Sequence, residues 1–388
     1  MADRYNIRGV SSKKEDVHNA IKGLDKGVYP GAFCKIIGDI LSGDDNRVLL
    51  LHSDTAGTKP SIAYLYWKET GDVSVFRGIA QDAIVMNTDD LLCTGVYTDF
   101  ILSSTIGRNK LLIPGEVVKE IIDGTQEFID RIHAYGITII SAGGETADVG
   151  DIIRTLDVGF TVCAAGNKSS IIDTSNITPG LAIVGISSSG KAKYEDTYNS
   201  GISSNGLTSA KHDLLSGFYR EKNPESYDNN IDPSYVFTGK YRMTDPYEHG
   251  IDIGKAILSP TRTFLPVIKS VFENITGRIH GIIHCTGGGQ TKCLKFGSNI
   301  HYIKDALFDP PKIFTLLAEK TDMREMFRVY NMGHRLELYI KEQHADEIVA
   351  LCNDFDIDAR IIGHTEASKG GNRLTIKHKD RTYTYDTA

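Results

Sequence analysis

The sequence has no apolar run approaching the ~18 residues that a membrane-spanning helix requires. It has one tryptophan and six cysteines (Cys34, Cys93, Cys163, Cys285, Cys293 and Cys352), with no Cys-x-x-Cys spacing. That spacing argues against a zinc ribbon or a disulfide scaffold, and most of these cysteines lie in apolar segments as small hydrophobes with free thiols. Positive charge is not in excess: 43 Lys and Arg against 50 Asp and Glu leave a net charge of −7, which speaks against a nucleic-acid surface. The opening "MADRYNIRGVSSKKED" is too polar for a signal peptide, so a cytoplasmic chain is expected. Common nucleotide and hydrolase signatures are missing as well. There is no G-x-x-x-x-G-K-[ST] and no G-x-G-x-x-G after a strand, and "GISSSG" at 185–190 and "GISSNG" at 201–206 miss the nucleophile elbow.

What remains is an ordinary globular composition, 40% hydrophobic and 24% charged over 388 residues, enough for two domains with sizeable cores. Hydrophobic periodicity predicts strands at 47–52, 137–141 and 157–164, and helices at 77–94 and 116–135. Pro114 and Gly136 bracket the second helix as start and stop. A small, polar stretch at 165–180 marks the expected boundary between domains 1–168 and 169–388. The second domain is read with strands at 181–187, 278–285 and 335–341 and helices near 261–274, 311–320 and 342–352. Between its first two strands, residues 191–257 carry seven tyrosines and many turn formers, which predicts a polar insert acting as a lid or mobile loop. The fold class expected is α/β (α+β) with two α/β domains.

Four stretches share one design, a strand or apolar helix running into acids or glycines. They are "LLLHSDTAGTKP" (49–60), "MNTDDLLCTG" (86–95), "IISAGGETADVGD" (139–151) and "IIHCTGGGQTK" (282–292). Carboxylates, a lysine and open glycine loops suit a nucleotide: acids hold Mg²⁺, metal and lysine neutralise phosphates, and glycine amides approach oxygens. Hard oxygen ligands favour Mg²⁺ over zinc. Asp89 and Asp90 are the sharpest feature, because two like charges in a mostly apolar helix are costly unless a cation or partner offsets them.

The order "HSDTAGTK", "TDDLLCTG", "GGETAD", "HCTGGG", "YNMG" resembles the aminoimidazole ribonucleotide synthetases, or phosphoribosylformylglycinamidine cyclo-ligases. They belong to an ATP-binding superfamily with selenophosphate synthetase, thiamine-monophosphate kinase and a hydrogenase maturation protein. "YNIRGV", "KSSIID", "SNG" and "SPTR" extend the resemblance over nearly the whole chain. It implies a homodimer whose N-terminal domains form a shared β-barrel, a C-terminal α/β sandwich, and ATP- and Mg²⁺-dependent closure of an imidazole ring on a ribonucleotide. By the same resemblance Asp54, Asp90 and Glu145 would bind Mg²⁺. Lys59 would lie on the phosphates, with Gly57, Thr58, Gly143, Gly144 and Asp89 at the ATP site, and Lys22 matches an ATP-site lysine across a gap. His284, Thr286, Gly287, Gly288 and Gly289 would face the ribonucleotide, with Asn205 and Asn331 as further contacts; Asp90, His284 and Lys59 are the expected catalytic set.

The sequence also departs from that pattern. Asp89 stands where the family usually has asparagine. Gln290, Lys292 and Phe296 stand where an aromatic, an acid and an arginine are usual, and His334 and Arg335 replace small residues. The early glycine-rich loop is reduced to "YPGAF" (29–33), and a histidine before "SNG" is missing. Two other readings stay open: a sister enzyme phosphorylating a different oxygen, and a nucleotide-binding protein without turnover.

Overall fold

A computed structural model describes residues 4–11 and 15–387. The first half contributes β1 (Ile37–Gly38), β2 (Arg47–Thr55), α1 (Lys59–Thr70), α2 (Phe76–Leu92), β3 (Phe100–Arg108), α3 (Gly115–His133), β4 (Ile139–Asp148) and β5 (Leu156–Asn167). Its strands form one sheet in the order β1-β2-β5-β3-β4, with β3 and β4 parallel and the other pairs antiparallel. Val48 and Leu50 of β2 are buried, and the two-residue period carries His52 and Asp54 to that same face, where His52 Nδ1 meets Asn87 Oδ1 of α2 at 2.9 Å. The opposite face is open. Leu51, Cys163, Ile101 and Ile140 lie in one row across β2, β5, β3 and β4, and the three aliphatics are 65%, 48% and 57% exposed. Within one chain this sheet is open at β1 and β4 and does not close into a barrel.

Helix α2 explains the fold's organisation. Of its residues only Arg77 and Gly78 escape full burial, although Gln81, Asp82, Asn87, Thr88, Asp89 and Asp90 are polar. It runs between the first sheet and the C-terminal half, so its acids are met from the other side rather than by solvent. Helix α3 follows the expected amphipathic pattern, with Val117, Ile121, Phe128, Ile129 and Ile132 buried, but Ile122 is 57% exposed.

The second sheet comprises β6 (Leu181–Ser187), β7 (Ile279–His284), β8 (Ile300–Lys304), β9 (His334–Lys341), β10 (Ala359–Ala367), β11 (Arg373–His378) and β12 (Arg381–Asp386). Its order is β12-β11-β8-β10-β6-β9-β7, antiparallel except for β8 with β11. Helices α4 (Leu265–Asn274) and α5 (Ala345–Asn353) pack together, α5 against β6 and β10 and α4 against α2. Strands β8 and β10–β12 lie where periodicity indicated no strand. The molecule is thus mixed α/β with two sheets. Among the described residues no helix is long and apolar enough to cross a membrane.

Two expectations need correction. The glycines of "GGET" do not leave a strand; β4 continues through them to Asp148. Leu102 and Ser104 of β3 pair with Ser141 and Gly144, so β4 holds one extra residue in a bulge where Gly143 takes φ +94°. At Gly144 a Cβ would come 2.0 Å from Ser104 Oγ, so both glycines serve strand pairing. Nor is 191–257 a loose insert. It holds helices Leu207–Leu214, Phe218–Lys222 and Ile253–Ile257, and Tyr194, Tyr219, Val236, Phe237 and Met243 are buried. Weak periodicity arose because its helices are short and two of its tyrosines enter the core with their hydroxyls bonded, Tyr194 to Thr263 O and Tyr219 to Glu69.

Candidate active site

A cleft of about 550 Å³ opens where β2 and α2 face the turn after β7. From the N-terminal half it is lined by His52, Asp54, Gly57 and Asp90. From the C-terminal half come Asn205, Thr286, Gly287, Gly288, Lys292 and Lys295. Seven residues singled out by sequence therefore meet in one place: Asp54, Gly57, Asp90, Asn205, Thr286, Gly287 and Gly288.

Asp90 sits at its inner wall. Oδ1 accepts from His284 Nδ1 at 2.6 Å, and Oδ2 lies 3.5 Å from His52 Nε2. Burial pushes this carboxyl upward, but the hydrogen bond from His284, with the Lys292 charge nearby, outweighs it and holds it below the usual range. Burial, aided by Arg335, pulls His284 down to about 4, so at neutral pH it is an uncharged imidazole donating its Nδ1 proton to Asp90. His284 is completely buried and does not line the cleft, against the expectation that it faces the ribonucleotide; its place is behind Asp90.

The neighbouring acid points elsewhere. Asp89 is fully buried and bonded to Arg335 (3.1 Å), the Thr263 hydroxyl (3.2 Å) and the Phe264 amide. Burial raises its carboxyl to about 7, with Arg335 opposing the rise. Asp89 and Arg335, both departures from the family pattern, are thus partners of one another. The others interlock likewise. Gln290 donates to the carbonyls of Asn331 and His334, and Lys304 bonds both Gln290 and Glu337, which His334 also meets at 3.0 Å. Phe33 of "YPGAF" stacks on Phe296 with centroids 5.1 Å apart, and the Lys292 ammonium lies 5.2 Å over the Phe33 ring.

Several expected residues lie away from the cleft. Lys59 is completely buried, donating to Asp82 Oδ1 (2.7 Å) and Ser259 O (2.6 Å), so it does not reach a phosphate here. Asp82 Oδ1 also accepts from the Thr261 amide and the Ser204 hydroxyl, which ties "GTK" to "SPTR" and "SNG". Thr58 bonds Thr208 at 2.6 Å, and buried Asn331 bonds Ser188, Gly201 and Gly333. Gly289 is buried with φ +50° against the backbone of Tyr330 and Phe327. Lys22 is exposed beside a separate hollow formed by residues 21–35. Glu145 is furthest removed. It pairs with Thr105, which pairs with Gly159, which pairs with Thr55, so it lies three strands from β2 and on the open face. At ~4.8 Å between strands that is roughly 14 Å from β2, across the sheet from Asp54.

Sequence reasoning missed Asp82 and His52. Asp82 lies about two helical turns before Asp90 in the same buried helix, and His52 precedes Asp54 by two residues on one strand face; both signals were readable. Among the described residues the only three-membered His/Cys/Asp/Glu cluster is Cys285, His334 and Glu337. The Lys304 ammonium already neutralises Glu337 there, so that cluster is an internal ion pair and not a metal site.

Comparison with known proteins agrees with this architecture. Residues 25–165 match the N-terminal domain, and residues 244–375 the C-terminal domain, of AIR synthase related proteins. The phosphoribosylformylglycinamidine cyclo-ligase of Methanocaldococcus jannaschii is 26% identical over 383 residues, 97% of this chain and 93% of that protein. The one of Thermococcus kodakarensis is 30% identical over 311 residues, 79% and 75% of the two chains. Among solved structures, the hydrogenase maturation protein HypE of E. coli aligns with TM-score 0.52 at 14% identity, covering 87% of this chain and 85% of that one. T. maritima PurL complexed with FGAR aligns with TM-score 0.51 at 12% identity; 88% of this chain is covered but only 46% of that one, so the chain spans about half its length. The two structures speak for the fold alone. With both of its domains matched and relatives aligned along most of its length, the chain belongs to the AIR synthase related family.

Proposed function

We propose that this chain is a phosphoribosylformylglycinamidine cyclo-ligase acting in the cytoplasm in purine biosynthesis. The carrying observation is one cleft walled by Asp54 and Asp90 on one side and by Thr286, Gly287 and Gly288 on the other, in a chain similar over most of its length to proteins of that name. In this reading the formyl amide oxygen of formylglycinamidine ribonucleotide takes the terminal phosphoryl group of ATP and ADP leaves. An amidine nitrogen then attacks the activated carbon, phosphate departs and a proton is lost as the imidazole closes. The N-terminal domain, 1–168, holds ATP, and the C-terminal domain, 169–388, presents the ribonucleotide.

The donors fit Mg²⁺, which is held by one or two carboxylates plus phosphate oxygens and supplies charge neutralisation when bound. Asp54 and Asp90 are the hard oxygen donors in the cleft, and Asp90 is kept ionised by its hydrogen bond from neutral His284. His284 then acts through Asp90 as a positioning residue. The Gly287 and Gly288 amides on the facing wall, which donate to no acceptor among the described residues, suit an anionic ribonucleotide.

The open face of the first sheet supports a homodimer. The Leu51, Ile101 and Ile140 row is apolar and unprotected, and Glu145 shares that face. A second copy seated there would give Glu145 its only route to a nucleotide site, that of the partner. The test of the whole reading is direct: purified protein should release ADP from ATP only with formylglycinamidine ribonucleotide and Mg²⁺ present, and form aminoimidazole ribonucleotide in equal amount. ADP release with no imidazole product would favour a sister enzyme, and no release would sink both.

A further inference from the structure

With Lys59 locked against Asp82, the cleft needs another cation for the phosphates it is proposed to bind. Lys292 is half-buried on the 3₁₀ turn Gly289–Lys295, which starts where Gly287 and Gly288 end. It lines the cleft with Asp90. Its ammonium rests over the Phe33 ring, near enough to act on the Asp90 charge, but among the described residues it has no hydrogen-bond acceptor and no close ion pair. A ring face is a weak seat for a desolvating ammonium with three donors to satisfy. Beside it, neither the Gly287 nor the Gly288 amide donates to any described acceptor, whereas Gly289 N bonds Thr286 O and Thr291 N bonds Gly288 O. An ammonium without a hydrogen-bond acceptor and two amides that donate to no described group gather donors on one short turn.

We propose that Lys292, with the Gly287 and Gly288 amides, binds a phosphate oxyanion in this cleft and takes the part that the buried Lys59 cannot. The proposal rests on the cyclo-ligase reading only for the source of that phosphate, the ribonucleotide's 5′-phosphate or the terminal phosphate of ATP. Binding lifts the ammonium from Phe33 onto the oxyanion, exchanging a cation–ring contact for charge-assisted hydrogen bonds. Phe33 stays stacked on Phe296, so the seat does not collapse when the lysine leaves it.

Calorimetry with ribose 5-phosphate and with Mg²⁺ and a non-hydrolysable ATP analogue separates the sources. Lys292→Ala should weaken one or both by about tenfold or more, the usual effect of losing a charged hydrogen-bond donor, while Lys292→Arg keeps most of the affinity. Loss against ribose 5-phosphate alone identifies the ribonucleotide, loss against the analogue alone identifies ATP, and loss against both places Lys292 between them. Affinities for both probes within about twofold of wild type in Lys292→Ala would overturn the proposal, as would an arginine variant as weak as the alanine one. A measurement on the unaltered protein guards against a misfolded variant: acetic anhydride labelling of Lys292 should fall when either probe is bound, and undiminished labelling with both would also overturn it. Binding of this kind without ring closure would leave Lys292 assigned and sink the cyclo-ligase reading instead.

Discussion

The two halves wall one cleft with opposite charge. The N-terminal half brings Asp54 and Asp90 on a strand end and a buried helix; the C-terminal half brings Lys292, Lys295 and glycine amides on a short turn. The acids are held rigidly. Asp90 stands on a helix enclosed on all sides and is fixed by His284 from the opposite half. Lys292 rests on a ring face and, among the described residues, has no hydrogen-bond acceptor. The acidic wall is therefore preorganised at Asp90, and the facing wall has a long side chain free to swing. Electrostatic catalysis gains most where charges are already fixed, so removing an acid should cost more than removing the lysine.

That difference gives the largest expected effect. Asp90→Asn should lower turnover by about 10²-fold at saturating substrate, because phosphoryl transfer depends on positioned charge. Steady-state kinetics across a Mg²⁺ titration checks it, and full activity at limiting Mg²⁺ would remove Asp90 from the metal site. Asp89→Asn removes a charge one residue away yet should leave the Mg²⁺ dependence unchanged, since that carboxylate faces Arg335 and not the cleft.

The second effect falls on stability. Arg335→Ala leaves Asp89 buried without its partner, which should destabilise the fold by about 3–5 kcal/mol. Denaturant unfolding of Arg335→Met with Asp89→Leu should recover most of that loss, because removing both charges is far less costly than removing one. A double variant as unstable as the single one would mean that Arg335 acts through its packing on Phe264 instead.

A third effect concerns the open face. Ile101→Glu puts a charge in the middle of the Leu51, Ile101 and Ile140 row, and light scattering should report 42.7 kDa for this variant and twice that for the unaltered protein. A monomer in the unaltered protein would leave Glu145 without a nucleotide to serve.

Much of this was legible in the sequence because it is local. Strand-to-glycine runs placed Asp54 and Gly287 correctly at element ends, and paired acids in an apolar helix flagged α2. What was illegible depends on partners distant in the chain. Nothing near Lys59 shows that Asp82 and Ser259 enclose it, and nothing near Asp89 shows that Arg335 lies opposite, 246 residues away. Glu145 shows a third kind of limit. Its motif looked like a loop because two glycines usually end a strand, and only the pairing of β4 with β3 reveals the bulge that moves it to the open face. Read one at a time, the departures are isolated differences from the family pattern; in space they join one another, Asp89 with Arg335 and Phe33 with Phe296 and Lys292.

The smallest effect sharpens the contrast through acid sensitivity. Among the described residues the three buried histidines, His212, His284 and His334, all belong to the C-terminal half. His212 is the cleanest probe, since it lies away from the acids of the cleft on the helix Leu207–Leu214 and accepts from the Phe237 amide at 3.3 Å. Burial, then the charges of Lys211 and Arg8, pull it down to about 2. The unfolded chain protonates this histidine near pH ~6.5, while the folded one stays neutral until far lower, so between those values the unfolded state holds more protons. Stability must therefore rise with pH across that window and be lost as pH falls below about 6.5. Asp89, raised to about 7, works in the opposite direction above the ordinary carboxylate range, but it is one group against three histidines. His212→Asn keeps an acceptor for Phe237 and cannot take up a proton. It should flatten the dependence by about one proton, about 1.4 kcal/mol per pH unit between pH 4.5 and 6. Denaturant unfolding at several pH values reads the slope directly. An unchanged slope would mean that water reaches His212 in the folded protein, and that the segment 191–257 is looser than its buried tyrosines indicate.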